Sequence, residues 1–217
     1  TGKATPDVDH VNVYDGDKLL GKADVKPDGT WSFTPEKPLA DGPHSFIAKP
    51  VDKAGNEGKA TDPIDFDVDT VPPVDGSILS IEVYDDIGPK TGLIKSGDST
   101  DDTQPTIRGE ATPDVDTVNI YDNGKLLGTA DVQADGTWSF TPSTPLSGNA
   151  HSITAKPVDK AGNEGKATTP IDFSLDAAAP AAPAITEVYD DVGTKVKKKK
   201  KGQTTDDKTP TVSGTGA

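Results

Sequence analysis

The chain has no cysteine and no methionine. No disulfide, thiolate metal site or cysteine nucleophile is therefore open to it. An extracellular form would have to draw its stability from its core, from metal or from neighbouring repeats. Aromatic residues are scarce, and only 31% of the 217 residues are hydrophobic, below the usual composition of a globular domain even allowing for glycine. No apolar run reaches membrane length, and no secretory leader pattern is present. The missing initiator methionine leads us to expect a piece of a longer chain, with targeting signals outside it. Glutamate is short as well. Of 36 acidic residues only six are Glu, and the rest are Asp. Glu favours helices and Asp favours turns, so the acidic residues speak against a helical protein.

Catalytic groupings are also missing. The three histidines are His10, His44 and His151. His44 and His151 are equivalents in a repeat and read as structural, while Thr117 stands where the first copy has His10. There is no Gly-x-Ser-x-Gly elbow, and near-identical tandem units leave no unique cleft for an acid–base carboxylate pair. We expect no enzyme. The net charge of −14 repels nucleic acid and attracts divalent cations, although for most single Asp residues it does no more than keep the chain soluble.

What is present is a repeat. Residues 5–69 align without gaps on 112–176, with 47 of 65 positions identical. A second alignment at an offset of 105 pairs the segment around Tyr84 with that around Tyr189, and 100–109 with 205–214. One unit of about 105 residues is therefore tiled along the chain. Proline-rich stretches after Asp69 and Asp176 suggest three portions: 1–70, the C-terminal part of a unit; 71–176, a complete unit; and 177–217, the N-terminal part of a third. A period this long, with 22 Gly and 19 Pro at regular intervals, reads as beads on a string and not as a solenoid.

Within the complete unit, short runs rich in β-branched and aromatic residues alternate with turn residues. Strands are expected near 78–84, 105–111, 117–121, 125–132, 137–141, 151–158 and 167–175. Asp122-Asn123-Gly124 is a hairpin turn, because Asn-Gly accepts positive φ. Trp138 and Phe140 share a face and belong in the core. Seven short strands in about 100 residues imply an all-β fold of tandem immunoglobulin-like antiparallel β-sandwich repeats.

The run Asp-Gly-Thr-Trp-Ser-Phe-Thr-Pro at 28–35 and 135–142 is followed by Pro-Leu, His-Ser and Asp-Lys-Ala-Gly-Asn, the last at 52–56 and 159–163. Thr-Asp-Asp-x-x-Pro-Thr stands at 100–106 and 205–211. Together these resemble the bacterial Ig-like repeats of giant type I-secreted, calcium-binding adhesins and biofilm-associated proteins, over nearly the whole chain. The resemblance implies a secreted, cell-surface stalk in cell adhesion and biofilm formation. Its partners would be neighbouring repeats of the same chain and a host-surface or biofilm-matrix ligand, with no nucleic acid and no membrane insertion. A run of five lysines at 197–201 departs from the pattern and is expected to form a solvated loop tip; binding of anionic polysaccharide or lipid is the functional alternative.

Calcium takes six to eight oxygens from Asp, Asn and backbone carbonyls. In such a sandwich successive loops fall on alternate ends. Asp114, Asp116, Asp159 and Asn163 should share the end facing the previous unit, with Asp69 approaching it. Asp85, Asp86, Asp101 and Asp102 should lie at the other end, near Asp176. Each junction would gather carboxylates whose repulsion a structural calcium ion turns into a cross-link, fixing a linker that is otherwise a hinge. The alternative for each Asp is a turn cap held by Asx hydrogen bonds, the expected role of Asp15, Asp28 and Asp135. A different class of function is a carbohydrate-binding or accessory module of a secreted polysaccharide-acting enzyme, which would need exposed coplanar aromatics. Strand exchange between portion 177–217 of one chain and portion 1–70 of another is a further possibility.

Overall fold

The structure, a computed structural model, describes residues 1–178, 180–193, 197–199 and 202–216. The described residues form strands joined by turns, with no helix. The first repeat contains β1 (Gly2–Lys3), β2 (Val8–Asp15), β3 (Lys18–Asp24), β4 (Thr30–Trp31), β5 (Gly42–Asp52) and β6 (Ile64–Val68). Strands β3-β2-β5-β6 make one sheet, and β1 pairs with β4 opposite it. The complete repeat adds β7 (Ile78–Asp85), β8 (Gly92–Ile94), β9 (Ser99–Thr100), β10 (Thr106–Ala111), β11 (Thr117–Asp122), β12 (Lys125–Asp131), β13 (Thr137–Phe140), β14 (Ala150–Val158) and β15 (Ile171–Leu175). Its two sheets run β13-β10-β7-β8 and β12-β11-β14-β15-β9. The C-terminal portion holds β16 (Ala184–Asp190), β17 (Lys197–Lys199) and β18 (Thr211–Thr215), ordered β17-β16-β18.

Alternation builds the core. Val118 and Ile120 on β11, and Ile153 and Ala155 on β14, are completely buried, as period-two strands with one inner face require. They meet Val83, Ile94, Ile107, Trp138 and Phe173 from the remaining strands. The hairpin between β11 and β12 turns at Asn123 (φ 50°) and Gly124 (φ 78°), the positive pair the sequence pointed to. At Gly109 a Cβ would lie 2.0 Å from the Ser80 carbonyl oxygen and 2.7 Å from the Trp138 ring. Only glycine lets β7, β10 and the indole approach so closely.

Three sequence expectations need correcting. The long connection between β7 and β10 is not a plain loop. It carries β8 on the first sheet and β9, which crosses over to run parallel to β15. The last strand begins at Ile171 and not at 167: Pro170 has no N–H to give a ladder, and the Thr168 hydroxyl instead accepts from the Ala155 amide at 3.1 Å. The lysine run is not a loop tip through Lys199, because Lys197–Lys199 pair with β16. Lys200 and Lys201 lie outside the described residues.

Candidate cation sites and the repeat junction

The β7–β10 connection brings Asp85 and Asp102 together as buried side chains, 5% and 1% exposed. Asp85 accepts from the Thr100 hydroxyl and from the Ile87 amide. Asp102 accepts from the Gln104 amide at 2.8 Å and the Asp86 amide at 3.4 Å. Burial pushes the Asp102 carboxyl above the ordinary carboxylate range, and the charges of Asp85 and Asp86 add to the push against those two amides. Among the described residues no Lys, Arg or His pairs with either buried carboxylate. Asp86 stays exposed. The Asp101 carboxylate sits over Gly88, whose positive φ of 73° leaves open the space a Cβ would fill, 2.6 Å from an Asp101 oxygen. Asp176 reaches the same end, donating its amide to Thr100 O at 2.8 Å and capping the Ala178 amide. The donors are all oxygen and the buried charge is unbalanced, which fits a hard cation in chemistry. The side chains themselves do not form a cage: among the described residues no three His, Asp or Glu converge closely enough to hold a metal.

The third portion repeats this arrangement. Asp190 and Asp207 are buried, Asp207 accepts from the Thr209 and Asp191 amides, and Asp206 sits over Gly193. Here a cation is built in. Lys199 occupies the register position of Ile94, and its ammonium lies 2.7 Å from Asp190 Oδ2. Lys199, then Thr205, holds the Asp190 carboxyl below its ordinary range.

The opposite end of the complete repeat is arranged differently. Asp159 closes its own turn, accepting from the Asn163 amide and from Asn163 Nδ2, both at 2.9 Å. Burial pushes this carboxyl up, but the Asn163 hydrogen bonds and the turn amides outweigh it and hold it below the usual range. Asp114 accepts from Ser77 Oγ at 3.4 Å, and Asp69 caps the Val71 amide. Asp116 joins this end through the backbone, donating to Val158 O at 2.8 Å. The Asp159 and Asp69 side chains act as turn caps. What links the repeats is direct: Asn163 Nδ2 donates to the Asp69 carbonyl at 3.0 Å. Asp28 and Asp135 cap turns at Thr30 and Thr137 as expected.

The bacterial Ig-like domain family matches residues 1–70 and again 79–177. The chain belongs to the bacterial Ig-like domain family. No curated protein matches it. Among solved structures it is similar to the fibronectin(III)-like modules of Clostridium thermocellum CbhA, at 18% identity over 81% of this chain and 80% of that one, with a TM-score of 0.45.

The first two bacterial Ig-like repeats also carry a polar clamp that the sequence reading missed. Asn119 and Lys156 face each other across β11 and β14. Glu164 accepts from Asn119 Nδ2 at 3.0 Å, Tyr121 OH at 2.5 Å and Lys156 Nζ at 2.8 Å. Burial pushes the Glu164 carboxyl up, yet those three donors win and bring it down to about 2. In the first repeat Tyr14 OH donates to Glu57 at 2.8 Å, and Lys49 lies 3.7 Å from it. The signal was available, since all four residues are identical at the repeat offset. Lys49, Lys156 and Arg108 stand over the rings of Tyr14, Tyr121 and Tyr84 at 4.8, 4.9 and 4.7 Å, so one face of each ring is taken by a cation. The repeat-equivalent histidines are structural: His151 Nδ1 bonds Asp122 at 2.8 Å and its ring stacks on Phe173.

Proposed function

We propose that this chain is a spacer segment of an extracellular bacterial adhesin, with calcium bound at the β7–β10 end of the complete repeat stiffening the array. The observation that carries the reading is the repetition itself: two copies share 47 of 65 residues, and a length-adding element needs many equivalent units where a receptor site or an active site needs one. The covered tyrosine faces weigh against a sugar-stacking platform at those positions. The buried, unbalanced Asp85 and Asp102 weigh for the cation. Asp86, Asp101 and Asp176 stand at the same end as further donors. Extracellular calcium is millimolar, so even sites with dissociation constants of about 0.1–1 mM would fill.

Thermal unfolding in EGTA and in millimolar calcium tests this. Calcium is expected to raise the midpoint of the complete repeat. Asp102→Asn is expected to raise the midpoint in EGTA, because it removes buried repulsion, and to abolish the response to calcium. A midpoint that calcium does not move, in a folded protein, would remove calcium from the account.

A further inference from the structure

A contact surface lies on the turn between β14 and β15. Three of its residues touch 69–75, the linker that joins the first repeat to the complete one. Asn163 Nδ2 donates to the Asp69 carbonyl at 3.0 Å. Gly165 leaves room for the Pro73 carbonyl, which would lie 2.9 Å from a Cβ at that position. Lys166 Nζ pairs with Asp75 at 3.0 Å. Asn163 and Gly165 are half-buried by this contact, whereas their counterparts Asn56 and Gly58 in the first repeat are exposed. Gly165 itself is held by its amide, which donates to Pro157 O at 2.8 Å, and the Gly58 amide does the same to Pro50 O. The Asp159 turn fixes Asn163, and the Glu164 clamp fixes the residue between Asn163 and Gly165. The surface is therefore rigid before anything docks on it.

We propose that this turn is a socket that grips the exit segment of the preceding repeat without metal, and that 56–59 in the first repeat is the same socket presented to the exit segment of another repeat. The ligand it fits is an extended segment that offers one backbone carbonyl at an Asp and a second at a Pro four residues on. Asp69 with Pro73 and Asp176 with Pro180 both have this spacing. A carboxylate two residues after the Pro, as at Asp75, adds an exposed and weak ion pair. Recognition is by backbone shape: a carbonyl–amide hydrogen bond and a glycine-sized gap tolerate any side chain on the linker. The inference rests on the reading of the chain as a spacer, and it assigns junction geometry to this contact where that reading assigns stiffness to calcium.

The lack of cysteine makes a clean distance measurement possible on the whole chain. Spin labels are placed at Lys22→Cys and Lys125→Cys, both exposed positions outside the socket, and inter-label distances are recorded in EGTA. A single narrow distribution is expected, and Asn163→Ala or Gly165→Ala should broaden it about two-fold, the free motion that small inter-domain contacts otherwise permit. Asn56→Ala and Gly58→Ala disturb the equivalent turn where no exit segment sits, so they should leave the distribution unchanged and control for loss of the turn. A broad distribution in EGTA that narrows with calcium would overturn the socket and leave the calcium-stiffened spacer standing. A narrow distribution that neither Asn163→Ala nor Gly165→Ala affects would overturn the socket as well. A distribution broad under all conditions would sink both.

Discussion

The first and second repeats are nearly the same sequence in two different states of completion. Trp138 is 2% exposed and sits in a cluster with Val83, Ile94 and Ile107. Trp31, its equal, is only partly buried and packs on Val11, Val13 and Ala48. Phe173 is 4% exposed, and Phe66 is 37% exposed. The sheet containing β2, β3, β5 and β6 forms in both copies with the same register. Within residues 1–70 the covering sheet is represented by β1 against β4. The hairpins and ladders are therefore local properties of the segment, while its core belongs to the pair of sheets. Burial is conferred by β7, β8 and β10, which share almost no sequence with the residues they bury.

Breaking the core should separate the copies most. Phe173→Ala is expected to cost the second repeat about 3–5 kcal/mol, the usual loss for a buried aromatic. Phe66→Ala should cost the first repeat about 1 kcal/mol, since much of that ring is already in water. Urea unfolding checks both, reading Trp138 fluorescence in a Trp31→Phe background for the second repeat and Trp31 in a Trp138→Phe background for the first. Gly109→Ala comes next. Its new methyl would collide with backbone at Ser80, and a loss of about 2–3 kcal/mol is expected from overpacking. Gly2→Ala meets only the edge of Trp31, with a two-residue strand free to shift, and should cost less in the same assay.

The clamps differ more finely. The Glu164 pKa is about 2 in the fold against an ordinary 4.5, so its stabilisation is complete above about pH 4.5 and is lost as the pH falls toward 2. The melting temperature of the second repeat should fall across that window, and Glu164→Gln should flatten the fall. Glu57→Gln should change the first repeat less, because Lys49 stands at 3.7 Å where Lys156 stands at 2.8 Å. The smallest effect belongs to Lys166→Ala. Its ion pair with Asp75 is about 70% exposed on both sides, and the melting temperature should move by less than the equivalent of about 0.5 kcal/mol.

Much of the fold was legible in the sequence because its signals are local. Asn123-Gly124 announces its turn, and Val118, Ile120, Trp138 and Phe140 announce their faces by period two. The strands β8 and β9 were not legible, because three and two residues carry no periodicity and their place is set by partners 7 to 75 residues away. The topology rule that sends loops to alternate ends put Asp69 beside Asn163. It did not say that the contact would be an amide on a carbonyl. The Glu164 clamp spans 45 residues and exists only once β11 and β14 are in register. Lys199 shows the same limit: five like charges suggest solvent, yet strand pairing turns one of them onto a buried carboxylate.

The most direct test of the spacer reading is the maximum dimension, from small-angle scattering, of arrays of one, two, three and four complete repeats in millimolar calcium. The account predicts a constant increment for each added repeat, as for a rod. Growth that falls away with repeat number, as for a flexible or folded-back chain, would contradict it.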